Sequence, residues 1–247
     1  MFQKIIDDTY VKEKENTEKV KFIIEALKEM KRIVSLMPKE TSKVVTQFSD
    51  SIVVSFKEDD TKEIPNFIGN INRVIVGLFS KGILCRGAIS YGKLFHNHEF
   101  VLGPALVEAY QTETEAAIYP RVILDRSVLE VMKANYTING AHSFRGIRFD
   151  STINSYFRRD SDDKYFIDYF SSAAMYLRDD GLVDYYTNMR NVISNGLRFK
   201  SAGLKAKYGW MKNKYNKIAE DFDALNIDDE IPTRYDIHKL IKTLKRI

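Results

Sequence analysis

The sequence predicts an α/β protein of the α+β kind, in which a mainly antiparallel sheet packs against helices and a helical C-terminal extension follows. Two observations indicate this fold class. β-prone runs alternate with amphipathic helical stripes up to about residue 124, in the order αββαββαβ. Beyond that point helical periodicity dominates and strands become few. We therefore predict an α/β domain over residues 1–135, and a C-terminal strand and helical extension over residues 136–247 that packs on it.

Each predicted element follows from local signals. Apolar residues three or four apart indicate helices, runs of β-branched and aromatic residues indicate strands, and Gly or Pro marks the ends. In the first part these signals predict a helix over residues 17–36, a hairpin over 44–56, a helix over 65–82, two strands within 83–95, a helix over 105–117 and a strand over 122–124. In the second part they predict a helix over 127–134, strands near 146–149 and 165–170, helices over 184–194 and 204–222, and a short terminal helix within 228–247.

Length and composition exclude several classes of protein. The chain has 247 residues, 44% of them hydrophobic and 29% charged, which is typical of a soluble globular protein. No apolar run approaches the roughly 20 residues that a membrane-spanning helix needs, and the N-terminus lacks the apolar core of a secretory signal. The single cysteine, Cys85, excludes an intrachain disulfide and fits a reducing compartment. We expect a cytoplasmic protein with no membrane partner.

The hairpin over residues 44–56 carries the most informative residue of the chain. Asp50 lies at its predicted tip, between two β-prone runs. Carboxylate oxygens on a rigid support are what Mn²⁺ or Mg²⁺ requires. Asp is also a common turn residue, and a purely structural role is the alternative. Asp50 is our candidate metal ligand.

Three segments in order resemble the catalytic domain of class III nucleotidyl cyclases. That family has a metal-binding Gly-Asp in a hairpin, a strand of the form Arg-x-Gly-Ile-x-x-Gly, and a helix that begins at glycine. The corresponding segments here are Ser49-Asp50, residues 86–92 with the sequence Arg-Gly-Ala-Ile-Ser-Tyr-Gly, and the helix that begins at Gly103. The resemblance covers roughly residues 17–124. It is strongest to the divergent bacterial branch that includes the Pycsar-type pyrimidine cyclases of antiphage signalling.

The resemblance implies a ferredoxin-like cyclase sandwich and a defined chemistry. The ribose 3′-hydroxyl of a nucleoside triphosphate attacks the α-phosphorus in line, and pyrophosphate leaves. In the family, two metal ions held by two aspartates activate the hydroxyl and neutralise the phosphates, while the protein positions the reactants. The resemblance also implies a homodimer, because the composite active site of the family takes residues from both subunits.

The chain departs from the family pattern at the first metal ligand. The second metal-binding aspartate of the family lies on a first strand of the form Phe-x-Asp-Ile-x-Gly-Phe, and nothing here matches that motif. Asp7 lies at a suitable distance before Asp50, but the glycine and aromatic residue of the motif do not follow it. We expect the first strand to be missing or degenerate, with residues 2–6 in the helix behind it.

The positions that stabilise the transition state also differ. The helix over 105–117 carries Val107 and Gln111 where the family has asparagine and arginine. Neither residue supplies a positive charge, and losing an anion-stabilising donor typically costs on the order of 10²–10³ in rate. We predict that another cation takes this role, either Arg121 or a lysine of the basic segment over residues 197–217.

The base-binding positions favour a pyrimidine. The lysine and aspartate that read adenine in adenylate cyclases correspond to Thr46 and Phe100, which cannot present that donor–acceptor pair to a purine. We predict that Thr46 and Phe100 line the base. Phe48 is a further candidate nucleotide-binding residue, and Ser49 and Ser51 are expected beside the triphosphate.

Arg86 is predicted as a catalytic residue that contacts phosphate. It lies in an apolar run, where a buried charge needs a partner or an anion. The alternative is a structural ion pair with a glutamate of the helix over 105–117, and the two roles are left open.

Three other features have simpler explanations. His96 and His98 are spaced as in some zinc sites, but no further ligand converges in the sequence, so we interpret them as solvated loop residues. Cys85 is interpreted as a small core residue rather than a nucleophile. The basic segment could contact nucleic acid, but its apolar residues form a helical stripe that leaves the lysines on a solvated side. We do not expect a nucleic-acid partner.

Taken together with these residues, the resemblance implies a nucleotidyl cyclase that converts UTP or CTP to its 3′,5′-cyclic monophosphate and pyrophosphate with Mn²⁺ or Mg²⁺. The antiphage role follows from the resemblance alone. A second hypothesis is a catalytically degenerate protein of this fold that binds nucleotide or acts as a regulatory subunit. A third is a nucleic-acid-binding module built on the basic segment.

Overall fold

The computed structural model describes residues 42–48, 51–57, 64–138, 143–144, 147–148, 156–224 and 244–247, together with Lys21, Ile24, Glu25 and Lys28. These residues form short strands and longer helices. The strands are β1 (Val44–Phe48), β2 (Ser51–Ser55), β3 (Gly87–Ile89), β4 (Phe95–His96), β5 (Val101–Leu102), β6 (Val122–Leu124), β7 (Ser143–Phe144), β8 (Ile147–Arg148), β9 (Phe157–Arg159) and β10 (Tyr165–Ile167). The α-helices are α1 (Ile64–Ser80), α2 (Pro104–Glu115), α3 (Arg126–Ile138), α4 (Asp179–Leu197) and α5 (Ala202–Asp223), with a 3₁₀ helix at Ser172–Met175.

The largest sheet among these residues has the strand order β3-β6-β10-β9. β3 and β6 are parallel, whereas β10 is antiparallel to both of its neighbours. The pairs β1–β2, β4–β5 and β7–β8 form separate antiparallel hairpins. A mixed α/β architecture of the α+β kind is therefore confirmed.

One hydrophobic core joins the two parts of the chain. It runs from α1 through β6 and β10 to α4 and α5, and Leu244 also belongs to it. Tyrosine hydroxyls reinforce it: those of Tyr185 and Tyr186 donate to the carbonyls of Tyr169 and Phe170 at 2.7 and 2.8 Å. Both the core and the largest sheet include residues from either side of residue 135, where the domain boundary was predicted. The boundary itself stays a prediction.

The local signals located most of the described elements. The hairpin over 44–56, the helices α1, α2, α3, α4 and α5, and the strands β6, β8 and β10 all lie where they were predicted. Of the helix predicted over 17–36, only four residues are described, and they are helical. Residues 244–247, at the end of the predicted terminal helix, are not helical. No described helix combines the length and apolar character that crossing a bilayer would require.

Gly103 controls where α2 begins. Its φ of 142° is unfavourable for residues with a side chain, and an added Cβ would lie 2.7 Å from the Lys93 carbonyl oxygen. We expect Gly103→Ala to lower the free energy of unfolding by about 1–3 kcal/mol, measured by urea denaturation. Gly82→Ala is the matched control, because Gly82 has a φ of 75° but open space around it, and should cost about 1–2 kcal/mol from backbone strain alone. This account would be contradicted if Gly103→Ala were as stable as Gly82→Ala, or more stable.

Candidate functional site

The β1–β2 hairpin has a core face and an outer face. Its register pairs Val45 with Val54 and Thr46 with Val53, so alternate residues lie on opposite faces. Val45, Ile52 and Val54 pack against the core. Side chains of the other parity therefore share the outer face, and these include Thr46, Phe48, Ser51 and Ser55.

The outer face brings together three of the predicted nucleotide-binding residues at the end of the hairpin. Phe48 pairs with Ser51 in the register, and both are exposed, with Phe48 at 50%. Ser49 and Asp50 lie between them in the sequence but outside the described residues, so their predicted roles stay predictions. An aromatic ring and two hydroxyls, those of Thr46 and Ser51, thus line the strands that flank Asp50.

His96 covers the inner part of the same face. Thr46 Oγ1 lies 2.8 Å from His96 Nε2, and Ser55 Oγ lies 2.7 Å from Nδ1. Both distances are those of good hydrogen bonds. The interpretation of His96 as a solvated loop residue was wrong, because β4 pairs with β5 and presents the imidazole to the β1–β2 hairpin.

The surroundings of His96 favour its neutral form. Burial lowers the pKa of His96 below its ordinary value of 6.5, and the charge of His98 lowers it further. A neutral imidazole can accept one hydrogen bond and donate another. Because a hydroxyl occupies each nitrogen, the ring is also fixed in orientation.

Phe100 lies in the turn between β4 and β5. The Asn97 Oδ1 accepts hydrogen bonds from the backbone N–H groups of Glu99 and Phe100 at 2.8 and 2.7 Å, which fixes the turn. The Phe100 ring itself is exposed. It follows His96 by four residues in the same hairpin, so that hairpin carries two residues of the candidate site.

Arg86 makes the structural ion pair that was left open as its alternative role. Its Nε lies 2.5 Å from Glu113 Oε1 on α2, and the Arg86 side chain is 54% exposed rather than buried. Lys207 of α5 lies close enough to Arg86 to respond to its charge, since burial and then Arg86 lower the pKa of Lys207 to about 8. Arg86 and Lys207 are thus two neighbouring cations, and Lys207 belongs to the basic segment.

Arg121 has a different place from the one expected for a catalytic cation. The guanidinium is fully buried and donates to Asp160 at 2.5 Å, to both carboxylate oxygens of Asp162, and to the Ala116 carbonyl at 3.0 Å. Asp160 also accepts hydrogen bonds from Trp210 Nε1 at 2.7 Å and Lys214 Nζ at 2.8 Å. We call these five side chains the Arg121 cluster; its members are Arg121, Asp160, Asp162, Trp210 and Lys214. Because the cluster already neutralises Arg121, we do not retain it as a catalytic residue.

Three of the four aromatic residues of the basic segment are part of the core, whereas the fourth, Phe199, is 46% exposed. Tyr208, Trp210 and Tyr215 are all buried, and Trp210 stacks on Tyr119 with ring centroids 5.2 Å apart. Bases of a nucleic acid therefore cannot stack on them as they stand. Lys214 is not simply solvated either, because it pairs with Asp160. Nothing in this helix adds support to the nucleic-acid hypothesis.

Helix α2 directs the side chains of positions 107 and 111 outward. Val107 and Gln111 are both exposed, as is Tyr110 at 68%. Ala105 is the buried apolar residue of this helix. Cys85 is half-buried and packs against the small cluster of Leu78 and Ile83, and burial raises the pKa of its thiol to about 12.

No group of three or more His, Cys, Asp or Glu side chains that could hold a metal occurs within the described ranges, and Asp7 and Asp50 lie outside them. The comparisons with known proteins add no relative: no family model, no curated protein and no solved structure matches the chain. The functional assignment therefore depends on the chemistry of the residues themselves.

Proposed function

We propose that the protein is a nucleotidyl cyclase of the class III type, with a ferredoxin-like cyclase sandwich, that acts on a pyrimidine nucleoside triphosphate. The observation that supports this most is the outer face of the β1–β2 hairpin. It combines a half-exposed aromatic ring, Phe48, with the hydroxyls of Thr46 and Ser51, and its strands flank Asp50. Aromatic stacking together with one or two polar contacts is the usual chemistry for binding an unpaired base.

Asp50 is a fitting ligand for a hard cation because it provides carboxylate oxygens. In the proposed reaction, Mn²⁺ or Mg²⁺ would lower the pKa of the ribose 3′-hydroxyl and neutralise the leaving pyrophosphate. Thr46, Phe48 and Phe100 would hold the base, and Ser49 and Ser51 would contact the phosphates. Arg86 and Lys207 would add positive charge, with Lys207 replacing Arg121 as the cation that compensates for Gln111.

Product analysis tests this function directly. The protein is incubated with ATP, GTP, CTP and UTP in turn with Mn²⁺, and the products are identified by mass spectrometry. We expect a 3′,5′-cyclic pyrimidine monophosphate and pyrophosphate.

Asp50→Asn should lower product formation on the order of 10³-fold, because metal activation is worth several kcal/mol. Asp163→Asn is the control, since this exposed aspartate pairs with Arg159 in another turn. Equal rates for Asp50→Asn and wild type would contradict the metal role.

A second candidate is a non-catalytic nucleotide-binding or regulatory protein of the same fold. It is favoured by α2, where the exposed positions 107 and 111 carry Val and Gln and so offer no charge to a transition state. Binding of CTP or UTP without any cyclic product would support this candidate over the enzyme. A cytoplasmic role in antiphage signalling belongs to the first candidate and rests on the resemblance to the family.

The proposed function includes a homodimer. Several large apolar side chains are exposed on the β4–β5 hairpin and on α2, which contacts β5. These side chains are Phe95, Leu102, Val107 and Tyr110. Exposed apolar side chains on adjoining elements are typical of a protein interface. A second copy of the chain is the proposed partner, because the resemblance implies a homodimer.

A charge in this surface should prevent dimerisation. We expect Tyr110→Glu to convert a dimer into a monomer in analytical ultracentrifugation, because the carboxylate would be desolvated at the interface. Met175→Glu changes an equally apolar, exposed residue on the 3₁₀ helix and should leave the dimer intact. A wild-type protein that is monomeric at all concentrations, or a dimer unaffected by Tyr110→Glu, would contradict the proposal.

A further inference from the structure

The two ring nitrogens of His96 limit how many hydrogen bonds it can donate and accept. A neutral imidazole has one N–H donor and one bare nitrogen that accepts. Thr46 is bonded to one ring nitrogen and Ser55 to the other. One hydroxyl must therefore accept a hydrogen bond from the ring while the other donates its proton to the ring. Thr46 and Ser55 consequently always have opposite polarity.

This count determines what Thr46 can offer to a ligand. When Nδ1 carries the ring proton, the Thr46 hydroxyl donates to Nε2 and can only accept from anything else. When Nε2 carries the proton, Thr46 accepts from the ring, and its own proton is free to be donated. The position of one proton on His96 thus converts Thr46 between an acceptor and a donor.

Thr46 lies where this difference matters. On the outer face of the hairpin it stands between the part that His96 covers and the open part at the end of the strands. Phe48, two residues further along β1 on that face, is half-exposed and can stack on a base. A base stacked there would bring the polar groups of its edge toward the neighbouring hydroxyl.

We propose that His96 is a positioning residue that lets this site take either pyrimidine, because the place of its ring proton sets whether the Thr46 hydroxyl offers a donor or an acceptor to the exocyclic group of the base. Uracil presents a keto oxygen at position 4 and needs a donor, whereas cytosine presents an amino group there and needs an acceptor. Since the ring proton can move between the two nitrogens, with Ser55 taking the complementary polarity, the unit accommodates either base. The inference rests on the proposed function, because it assumes that a nucleotide binds here.

A purely structural role for His96 is the alternative, in which the imidazole only joins the two hairpins. That role predicts the same ring tautomer whatever is bound. The tautomer of a histidine is observable in solution from the ¹⁵N chemical shifts of its two nitrogens. It therefore separates the two roles without any measurement of catalysis.

The experiment records ¹⁵N spectra of the histidine-labelled wild-type protein with 3′-deoxy-UTP and with 3′-deoxy-CTP in the presence of Mg²⁺. Both nucleotides lack the attacking hydroxyl, so that no turnover occurs. The His96 signals are identified by their loss in His96→Gln. We expect the ring proton on Nε2 with the uridine nucleotide and on Nδ1 with the cytidine nucleotide.

The outcomes are distinguishable. If both nucleotides bind and the ring proton occupies the same nitrogen in both complexes, the inference about His96 is wrong, while nucleotide binding stands. If neither nucleotide binds, the proposed function fails and the inference with it.

A pair of variants provides a second measurement. Thr46→Val keeps the β-branched shape but removes the hydroxyl, and it should weaken binding of both nucleotides by about 3- to 10-fold. Thr46→Ser retains the hydroxyl and should bind both nearly as tightly as wild type. Ser80→Ala, which removes a hydroxyl bonded within α1, is the control and should change neither affinity. Unchanged affinity in Thr46→Val would overturn the inference.

Discussion

Replacing Arg121 by Met is expected to lower the free energy of unfolding by about 3–5 kcal/mol, because the buried carboxylate of Asp160 loses its closest cationic partner and Asp162 loses its own. Asp160 is buried, and its hydrogen bonds to Arg121, Trp210 and Lys214 are what compensate for its desolvation. Met fills much of the volume of Arg, so the loss reports the charge rather than a cavity. Chemical denaturation with urea measures it.

Arg126→Met is the matched control. Arg126 also pairs with a carboxylate, that of Glu130 at 3.0 Å, but its side chain is 90% exposed. Exposed ion pairs of this kind contribute about 0–1 kcal/mol, so this variant should be nearly as stable as wild type. Similar losses in the two variants would contradict the structural importance of the Arg121 cluster.

The Arg121 cluster also makes the free energy of unfolding depend on pH in the acidic range. The hydrogen bond from Arg121 lowers the pKa of Asp162, and the bonds from Lys214, Ser161 and Trp210 outweigh burial to lower that of Asp160. A carboxyl whose pKa is lower in the folded state stabilises the fold above its unfolded pKa of about 4, and that stability is lost as pH falls through the folded pKa. In Arg121→Met the decline of unfolding free energy below about pH 4 should be shallower than in wild type.

Gly196→Ala is expected to destabilise the protein by about 2–3 kcal/mol, although alanine is the better helix former. Gly196 lies on α4 where the Tyr208 ring of α5 rests on its backbone, and an added Cβ would be 2.2 Å from Tyr208 Cγ. Tyr208 is itself buried, so the ring has no free space to move into. The two helices would have to separate, and thermal or urea denaturation would show the loss.

Gly209→Ala tests the opposite sign in the same helix pair. Gly209 is in the interior of α5, and an added Cβ would meet nothing within 4 Å. This variant should gain up to about 1 kcal/mol from helix propensity alone. A Gly196 variant as stable as the Gly209 variant would show that α4 and α5 do not pack as described.

The hairpin of the candidate site could be predicted from the sequence because its signals are local. Two β-prone runs with a short polar turn between them specify a hairpin, and the alternation of side chains then assigns Thr46, Phe48 and Ser51 to one face. The α-helices were located for the same reason, since their apolar stripes repeat within one element.

The partners of His96 and Arg121 could not be predicted in this way. Thr46 and Ser55 lie 50 and 41 residues from His96 in the chain, and a His-Asn-His sequence is typical of a loop. The carboxylates that enclose Arg121 are 39 and 41 residues away, in the turn after β9. That strand was itself missed, because two of its three residues are exposed arginines at the end of the sheet, where apolar alternation is not required. Long-range contacts of this kind are set by the tertiary fold.

A crystal structure of the protein with 3′-deoxy-CTP and Mn²⁺ tests the central proposal most directly. We expect the cytosine ring against Phe48, its edge within hydrogen-bonding distance of Thr46 Oγ1, and the triphosphate and metal at Asp50. A nucleotide bound away from the outer face of the β1–β2 hairpin, or a metal bound without Asp50, would contradict the proposal.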